Sequence, residues 1–292
     1  EYAPRCGGGL CDTDESSIPA AAALGADIVV ACVGEHSYCS GECASRTDIS
    51  LPAVQLKLLR EIKRAGKKLV TVVFAGRPLI LNEVKELSDA LLCVWQPGTE
   101  GGTAMIAETL FGEALPEGRL TMSFPRSVGQ CPVYYNCFST GRPKTQDTRE
   151  GQYYSSKYID ELNSPLYPFG YGLGYTRFEY GSAILSDTVM KRGGKITVSV
   201  TVKNVGDRSG CETVQLYIRD KFASLARPVR ELKAYRKINL NAGEEKQVAF
   251  EITEEMLAFY RADGAFAAEA GDFDVMVGGD SRCAVAGTFK LI

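Results

Sequence analysis

Short apolar runs alternate with helical patterns over the first 110 residues. Three apolar runs of strand length occur at residues 26–33, 69–74 and 90–95. Apolar residues at helical spacing follow each of them, at residues 51–62, 79–84 and 101–110. Runs of this length are too short for helices and are typical of buried parallel strands. The alternation therefore predicts an α/β domain with a doubly wound, mostly parallel sheet.

The predicted sheet is incomplete. The pattern indicates three strands, and a fourth at residues 119–124 is less regular. A doubly wound sheet usually has about five or six strands. Missing strands leave unpaired backbone and an exposed apolar face. We therefore expect an upstream segment or another chain to supply the rest of the sheet.

The periodicity stops in residues 125–180, which are rich in proline, glycine and tyrosine. So long an irregular segment in a compact protein is usually functional or wraps another domain. Its tyrosines can serve as platforms for sugar rings or hold domains together, and we favour the structural role for most of them. We assign residues 1–180 to the α/β sandwich domain, whose N-terminal part is missing, with 125–180 as the wrapping segment.

After Tyr180 the apolar residues alternate with a period of two. Such runs occur at residues 196–202, 214–218, 248–252 and 273–277, separated by turn signals such as Gly193-Gly194 and Asp263-Gly264. Half-buried antiparallel strands at this spacing predict an all-β sandwich of immunoglobulin or fibronectin type III-like kind over residues 181–292. No catalytic constellation is found in this part of the sequence.

Composition narrows the classes of function. A formal net charge of -3 argues against nucleic acid or an anionic membrane as the main partner. No apolar run reaches the roughly 20 residues of a membrane helix. No signal peptide opens the sequence, but because the sequence starts with Glu1 this says little about localisation. No phosphate-binding glycine loop opens a helix, which argues against a nucleotide or flavodoxin-like ligand binder.

The ten cysteines are scattered and form no paired C-x-x-C metal motif. Cys32 and Cys93 fall inside apolar runs, so we interpret them as small buried hydrophobic residues of a reduced protein rather than parts of a disulfide framework. Cys39 and Cys43 flank Glu42 and can form a bridge, which the sequence does not decide. No metal or organic cofactor is predicted.

A polar loop follows the first predicted strand and leads to the helical pattern at Leu51. Because it leaves the carboxyl end of a parallel strand, it lies where ligands bind in open α/β sheets. A solvated surface loop is the alternative interpretation. The candidate site residues are Glu35, His36, Glu42, Arg46 and Asp48, and His36 is the only histidine of the chain.

Several blocks of the sequence resemble glycoside hydrolase family 3. They are residues 33–35, 42–52, 75–78, 98–102, 115–125 and 167–178. Each block is weak alone, but together they occur in the family's order and cover the whole chain. The insert at 140–143 and the tyrosine-rich run after it resemble the bacterial periplasmic β-glucosidase branch.

Members of the family are retaining exo-acting β-glycosidases with a β/α barrel, an α/β sandwich and often a fibronectin-like domain. The resemblance implies that this chain is the C-terminal part of a β-glucosidase, acting on terminal non-reducing β-D-glucosyl residues of a β-linked oligosaccharide or aryl glycoside. It implies Glu42 as the acid/base, with the nucleophile on a barrel from an upstream segment or separate chain. The isolated chain is expected to be inactive. β-Xylosidase, another exo-β-glycosidase, and a non-catalytic carbohydrate-binding or scaffold half are the alternatives.

Glu35 is the rival acid/base candidate, but its closeness to the strand favours a structural partnership with Arg46 or Arg77. Arg46 and Asp48 are expected to hold the loop to the start of the next helix, where an anionic side chain is favourable and Ser50 can serve as cap.

His36 is expected on the leaving-group side of the pocket or simply at the surface. Localisation is left open at this point, because the resemblance implies periplasm or secretion whereas free cysteines favour a reducing, cytoplasmic compartment.

Overall fold

The computed structural model describes residues 15, 18, 25–144, 147–149, 151 and 153–292, with side chains omitted at 103 and 104. The chain forms two compact units, Glu1–Glu113 with Phe124–Pro132, and Ala114–Ser123 with Val133–Ile292. This division differs from the boundary at residue 180 that the sequence predicts between its two domains. That boundary stays a prediction. The sequence also predicts a short alanine-rich helix that Ser16 or Ser17 can cap and that ends near Gly25, but almost all of it lies outside the described residues.

A three-stranded parallel sheet forms the centre of the first unit. Its strands are β1 (Ile28–Gly34), β2 (Lys68–Phe74) and β3 (Ala90–Trp95), in the spatial order β1-β2-β3. The three predicted strands are therefore confirmed. The fourth, at residues 119–124, is wrong, because Leu120 exchanges backbone hydrogen bonds with Gly170 and Tyr171 of the second unit at 2.6 and 2.8 Å.

The helices of the first unit follow the predicted patterns with shifted boundaries. They are α1 (Ala53–Arg64), α2 (Asn82–Leu87), α3 (Gly98–Gly101) and α4 (Glu108–Phe111), with a π-helical stretch at Gly102–Ala107. The predicted Ser50 cap is wrong, because Pro52 precedes α1 and no side chain caps it. Ser50 instead forms an isolated bridge with Ile80. Among the described residues, no helix is long and apolar enough to cross a membrane.

Asp89 ties the start of β2 to the chain before β3. Its Oδ2 accepts hydrogen bonds from the Leu69 N–H and from Lys63 Nζ, both at 2.9 Å. These hydrogen bonds, with the charges of Lys63 and Lys68, lower the pKa of Asp89 to about 2. A carboxyl group in an unfolded chain titrates near about 3.9. The folded state therefore gains stability from Asp89 above that value and loses it as the pH falls towards 2.

We expect Asp89→Asn to make the first unit less stable at pH 7 and to flatten its dependence on pH between about 4 and 2. The measurement is the urea midpoint of each protein at several pH values. Asp187→Asn, at an exposed carboxylate of the second unit that accepts the Val189 N–H at 3.0 Å, is the control. If the urea midpoints of Asp89→Asn and the wild type changed with pH in parallel, this account of Asp89 would be contradicted.

Two antiparallel-rich sheets form the second unit. The first contains β4 (Phe178–Tyr180), β5 (Ile184–Leu185), β7 (Lys195–Asn204) and β10 (Glu245–Thr253). The second has the order β6 (Val189–Met190), β14 (Val285–Leu291), β13 (Gly271–Gly278), β8 (Gly210–Asp220) and β9 (Glu231–Leu240). A short helix, α5 (Glu254–Leu257), precedes the hairpin of β11 (Phe259–Tyr260) and β12 (Phe266–Ala267).

The core of the sandwich lies between the inward faces of these sheets. Val198, Leu216 and Val275 have no exposed surface and belong to one continuous cluster. The predicted period-two strands are thus confirmed. Strands β9 and β14 were not predicted, because most of their side chains are exposed or half-buried and the apolar alternation is weak.

The irregular segments of the second unit attach to the sandwich through buried polar contacts. Arg119 Nη2 lies 2.8 Å from Glu212 Oε2, and both side chains are less than a tenth exposed. The Tyr180 hydroxyl donates to the other oxygen of Glu212 at 2.7 Å. Burial, together with the Glu212 carboxylate, raises the pKa of Tyr180. Segment 114–123 is therefore part of this unit.

The tyrosines of the wrapping segment fall into two groups. Tyr135 stacks on Phe169 with ring centroids 4.1 Å apart and contacts the buried Tyr217 edge-on, which is the structural role predicted for most of them. Tyr153 and Tyr154, in contrast, are 85% and 86% exposed. Only the first group contributes to packing.

Candidate active site

The end of β1 is fixed by close contacts on two sides. Gly34 has a φ of 146°, and a Cβ atom there would lie 1.9 Å from the Phe74 carbonyl oxygen. The Gln55 side chain of α1 accepts the Gly34 N–H at 2.8 Å and donates to the Gly34 carbonyl at 3.1 Å. Gln55 was not predicted as a site residue. The available signal was a polar residue on the apolar face of a helix.

Glu35 is buried directly after this point, with 2% of its side chain exposed. Its Oε1 lies 2.5 Å from Arg46 Nη1 and 3.2 Å from Arg77 Nε. Its Oε2 accepts the Gly76 N–H at 3.2 Å. The carboxylate is therefore enclosed by cationic groups and a backbone donor, and its predicted partnership is found with both arginines.

Arg77 also holds the loop that contains Glu42. Its Nη2 donates to the Cys39 carbonyl and, at 3.0 Å, to the Ala44 carbonyl. These two carbonyls lie on either side of Glu42 in the sequence. A guanidinium presents several donors in a rigid plane, so one side chain can bind the loop at two points and Glu35 at a third. The loop is thus anchored to the carboxyl end of β2.

Glu42 lies in a turn between these anchor points. The Ala44 N–H donates to the Gly41 carbonyl at 3.3 Å, while Gly41 and Cys43 have φ angles of 117° and 60°. The Glu42 side chain is exposed and makes no hydrogen bond or ion pair with the residues that the structure describes. Its carboxylate is therefore free to meet a ligand, although the backbone beneath it is held.

The remaining predicted site residues lie on the same loop. His36 Nδ1 accepts the Tyr38 N–H at 3.3 Å, and their rings are 4.7 Å apart. Asp48 accepts the Ser50 N–H at 2.9 Å, and Arg46 donates to the Ser50 carbonyl at 3.1 Å. The hydrogen bonding of Asp48 with Ser50, and then the Arg46 charge, lower the pKa of Asp48. Both residues thus hold Ser50 rather than the N–H groups of α1.

The cysteines near the loop differ in exposure. Cys39 is buried, Cys43 is exposed, and both are free thiols, so the bridge between them is not formed. The prediction that Cys32 is buried is wrong. Cys32 shares the outer face of β1 with Ile28 and Val30, which are 59% and 47% exposed.

The two glutamates differ in their surroundings. The Glu35 side chain is held in buried ion pairs with Arg46 and Arg77, whereas the Glu42 carboxylate is exposed and has no partner among the described residues. Within the described part of the chain, no group of three or more His, Cys, Asp or Glu side chains is placed to hold a metal ion.

The chain is similar to known proteins in both sequence and structure. The chain is 47% identical over 271 residues to a periplasmic beta-glucosidase of Salmonella typhimurium, covering 93% of this chain and 35% of that protein. It is 39% identical to a beta-xylosidase of Formosa agariphila, covering 93% and 37%. The crystal structure of a beta-glucosidase from Listeria innocua in complex with glucose matches with a TM-score of 0.90 and 42% identity, over 97% of this chain and 39% of that chain.

Family models cover both parts of the sequence. The model of the glycosyl hydrolase family 3 C-terminal domain matches residues 11–175, and that of the fibronectin type III-like domain matches residues 212–281. The chain spans little more than a third of the length of the relatives described above. It therefore belongs to glycosyl hydrolase family 3 and comprises the family's C-terminal domain followed by a fibronectin type III-like domain.

Proposed function

We propose that this chain is the C-terminal part of a retaining exo-acting β-glucosidase and contributes Glu42 as the acid/base. A β/α barrel, from an upstream segment or a separate chain, supplies the nucleophile and most contacts to the sugar. The observation that carries the proposal is the exposed Glu42 carboxylate, which has no partner among the residues that the structure describes and lies on a loop anchored by Arg77. The beta-glucosidases among the relatives support glucose as the sugar.

Glu42 serves twice in the proposed reaction. It first protonates the leaving glycosidic oxygen while the barrel carboxylate attacks the anomeric carbon. It then accepts a proton from the water that hydrolyses the glycosyl-enzyme. A neighbouring carboxylate favours the protonated form of Glu42, and glycosylation of that neighbour removes the charge and favours the ionised form. The two steps therefore require opposite protonation states, which the nucleophile itself controls.

The buried contacts position this carboxylate. General acid/base catalysis requires the reacting group within hydrogen-bonding distance of the proton that it transfers. Arg77 binds the backbone on both sides of Glu42, and Glu35 forms ion pairs with Arg77 and Arg46 at the base of the loop. The role of Glu35 in this proposal is structural. No metal or organic cofactor takes part.

We expect this chain alone to show no hydrolysis of aryl β-glucosides, and its assembly with a family 3 barrel to restore activity with retention of configuration. Retention of configuration is determined by NMR, from which anomer of the released sugar forms first. The same assembly is assayed on aryl β-xyloside, because the Formosa agariphila relative favours β-xylosidase as the second candidate. Activity of the isolated chain, or inversion, would rule out the half-site account. An assembly without any activity would favour the non-catalytic scaffold alternative.

We also propose a periplasmic or secreted location, which the periplasmic relative supports. The eight described cysteines are all free, which instead favours a reducing compartment. Fractionation of cells that express the natural polypeptide distinguishes these locations. Recovery in the cytoplasmic fraction would contradict the proposal.

A further inference from the structure

Cys39 and Cys43 lie on a tightly closed piece of the Glu42 loop. Arg77 Nη2 donates to the carbonyls of both Cys39 and Ala44. Two hydrogen bonds to one nitrogen keep the acceptor oxygens within roughly 6 Å of each other. The backbone reverses between the two cysteines through the positive φ angles of Gly41 and Cys43. The backbone of Cys39 is therefore brought close to that of Ala44, the residue that follows Cys43, across a turn.

A disulfide joins Cα atoms about 4.4 to 6.8 Å apart, so it requires a closed turn of the kind that this loop forms. We propose that Cys39 and Cys43 form an oxidative modification site, at which a low-molecular-weight disulfide closes an intraloop bridge that displaces Glu42. The thiol chemistry depends only on this chain. The effect on catalysis rests on the proposed function, in which Glu42 is the acid/base.

The exposed thiol reacts first. The Cys43 thiolate attacks one sulfur of the small disulfide, forms a mixed disulfide and releases one thiolate. The Cys39 thiolate then attacks the Cys43 sulfur and releases the second thiolate. In sum, two cysteine thiols are oxidised to one disulfide, two protons are released, and the small disulfide is reduced to two thiolates that take up protons according to pH.

Formation of the disulfide changes the conformation of the loop, because the two thiols lie in different environments in the reduced protein. Cys39 is 7% exposed, whereas Cys43 is exposed. A disulfide needs its two sulfur atoms about 2.05 Å apart. Either Cys43 must turn inward or Cys39 must leave its buried position. Glu42 lies between them, so either movement alters the direction of its side chain.

The first experiment maps disulfides in this chain alone. The reduced chain is incubated with glutathione disulfide, and its peptides are identified by mass spectrometry. We expect a Cys39–Cys43 bridge in the wild type, a lasting glutathione adduct on Cys43 in Cys39→Ser, and neither product at these positions in Cys43→Ser. Cys137→Ser, at an exposed free thiol of the second unit, is the matched control and should form the bridge. A lasting adduct on Cys43 of the wild type, or no reaction there, would overturn the proposal.

The second experiment measures catalysis in the assembly with the barrel. Oxidation is expected to lower aryl β-glucosidase activity at least tenfold, and dithiothreitol to restore it, whereas Cys43→Ser should keep its activity under both conditions. A mapped bridge with undiminished activity would overturn the link to Glu42. If the untreated assembly has no activity, the proposed function fails, while the peptide map still tests the thiol chemistry independently.

Discussion

Replacement of Glu42 by glutamine is expected to lower kcat/KM for an alkyl β-glucoside about 10²- to 10⁴-fold in the assembled enzyme. The side chain is exposed and unpartnered within the described residues, so the substitution removes a proton donor with little effect on folding. An alkyl leaving group needs protonation. A dinitrophenyl leaving group needs little protonation. The substitution should therefore slow the glycosylation step of a dinitrophenyl β-glucoside far less.

Azide provides the decisive readout for this variant. A small anion can enter the space beside the glutamine and attack the glycosyl-enzyme without help from a general base. We therefore expect azide to accelerate turnover of dinitrophenyl β-glucoside by Glu42→Gln and to produce the β-glucosyl azide. Glu35→Gln should show no such acceleration. Rescue of Glu35→Gln, or unchanged activity of Glu42→Gln, would show that the assignment of the two glutamates is wrong.

Glu35→Gln should lower the free energy of unfolding of the first unit by about 3 to 5 kcal/mol, the largest loss expected among the proposed variants. It leaves the buried Arg46 guanidinium, whose side chain is 6% exposed, without its carboxylate. Removal of one member of a buried ion pair is costly because the remaining charge stays desolvated. Urea unfolding followed by circular dichroism measures the change.

Glu83→Gln is the matched control for this prediction. Glu83 pairs with Arg60 at the surface, where 38% and 45% of the two side chains are exposed. Exposed ion pairs contribute little, so this variant should unfold close to the wild type. Equal unfolding midpoints for the two glutamate variants would mean that the enclosed position of Glu35 carries no stabilisation.

The sequence predicted the sheet and the location of the candidate site because both depend on local patterns. Three short apolar runs were sufficient for β1, β2 and β3, and the polar loop after β1 could be placed at the carboxyl end of the sheet. The choice of Glu42 over Glu35 relied on family resemblance and on closeness to the strand. The choice itself stays a prediction, although the burial of Glu35 supports it.

What the sequence did not predict depends on contacts between distant residues. Whether Glu35 pairs with Arg46 or Arg77 cannot be read from spacing, and the structure shows that it contacts both. Ser50 satisfied the residue preference for a helix cap but forms a bridge with Ile80 instead. Strand β9 lacked a clear apolar alternation because most of its side chains are not buried. It is a strand because its backbone pairs with β8.

The outer face of β1 has a consequence for handling the protein. Within the described residues β1 pairs only with β2, and Ile28 and Val30 project from it into solvent. A free edge with β-branched side chains accepts further strands, including those of other copies. We therefore expect strand addition at β1, rather than the weak net charge, to limit the concentration at which the chain stays monodisperse when it is purified by itself.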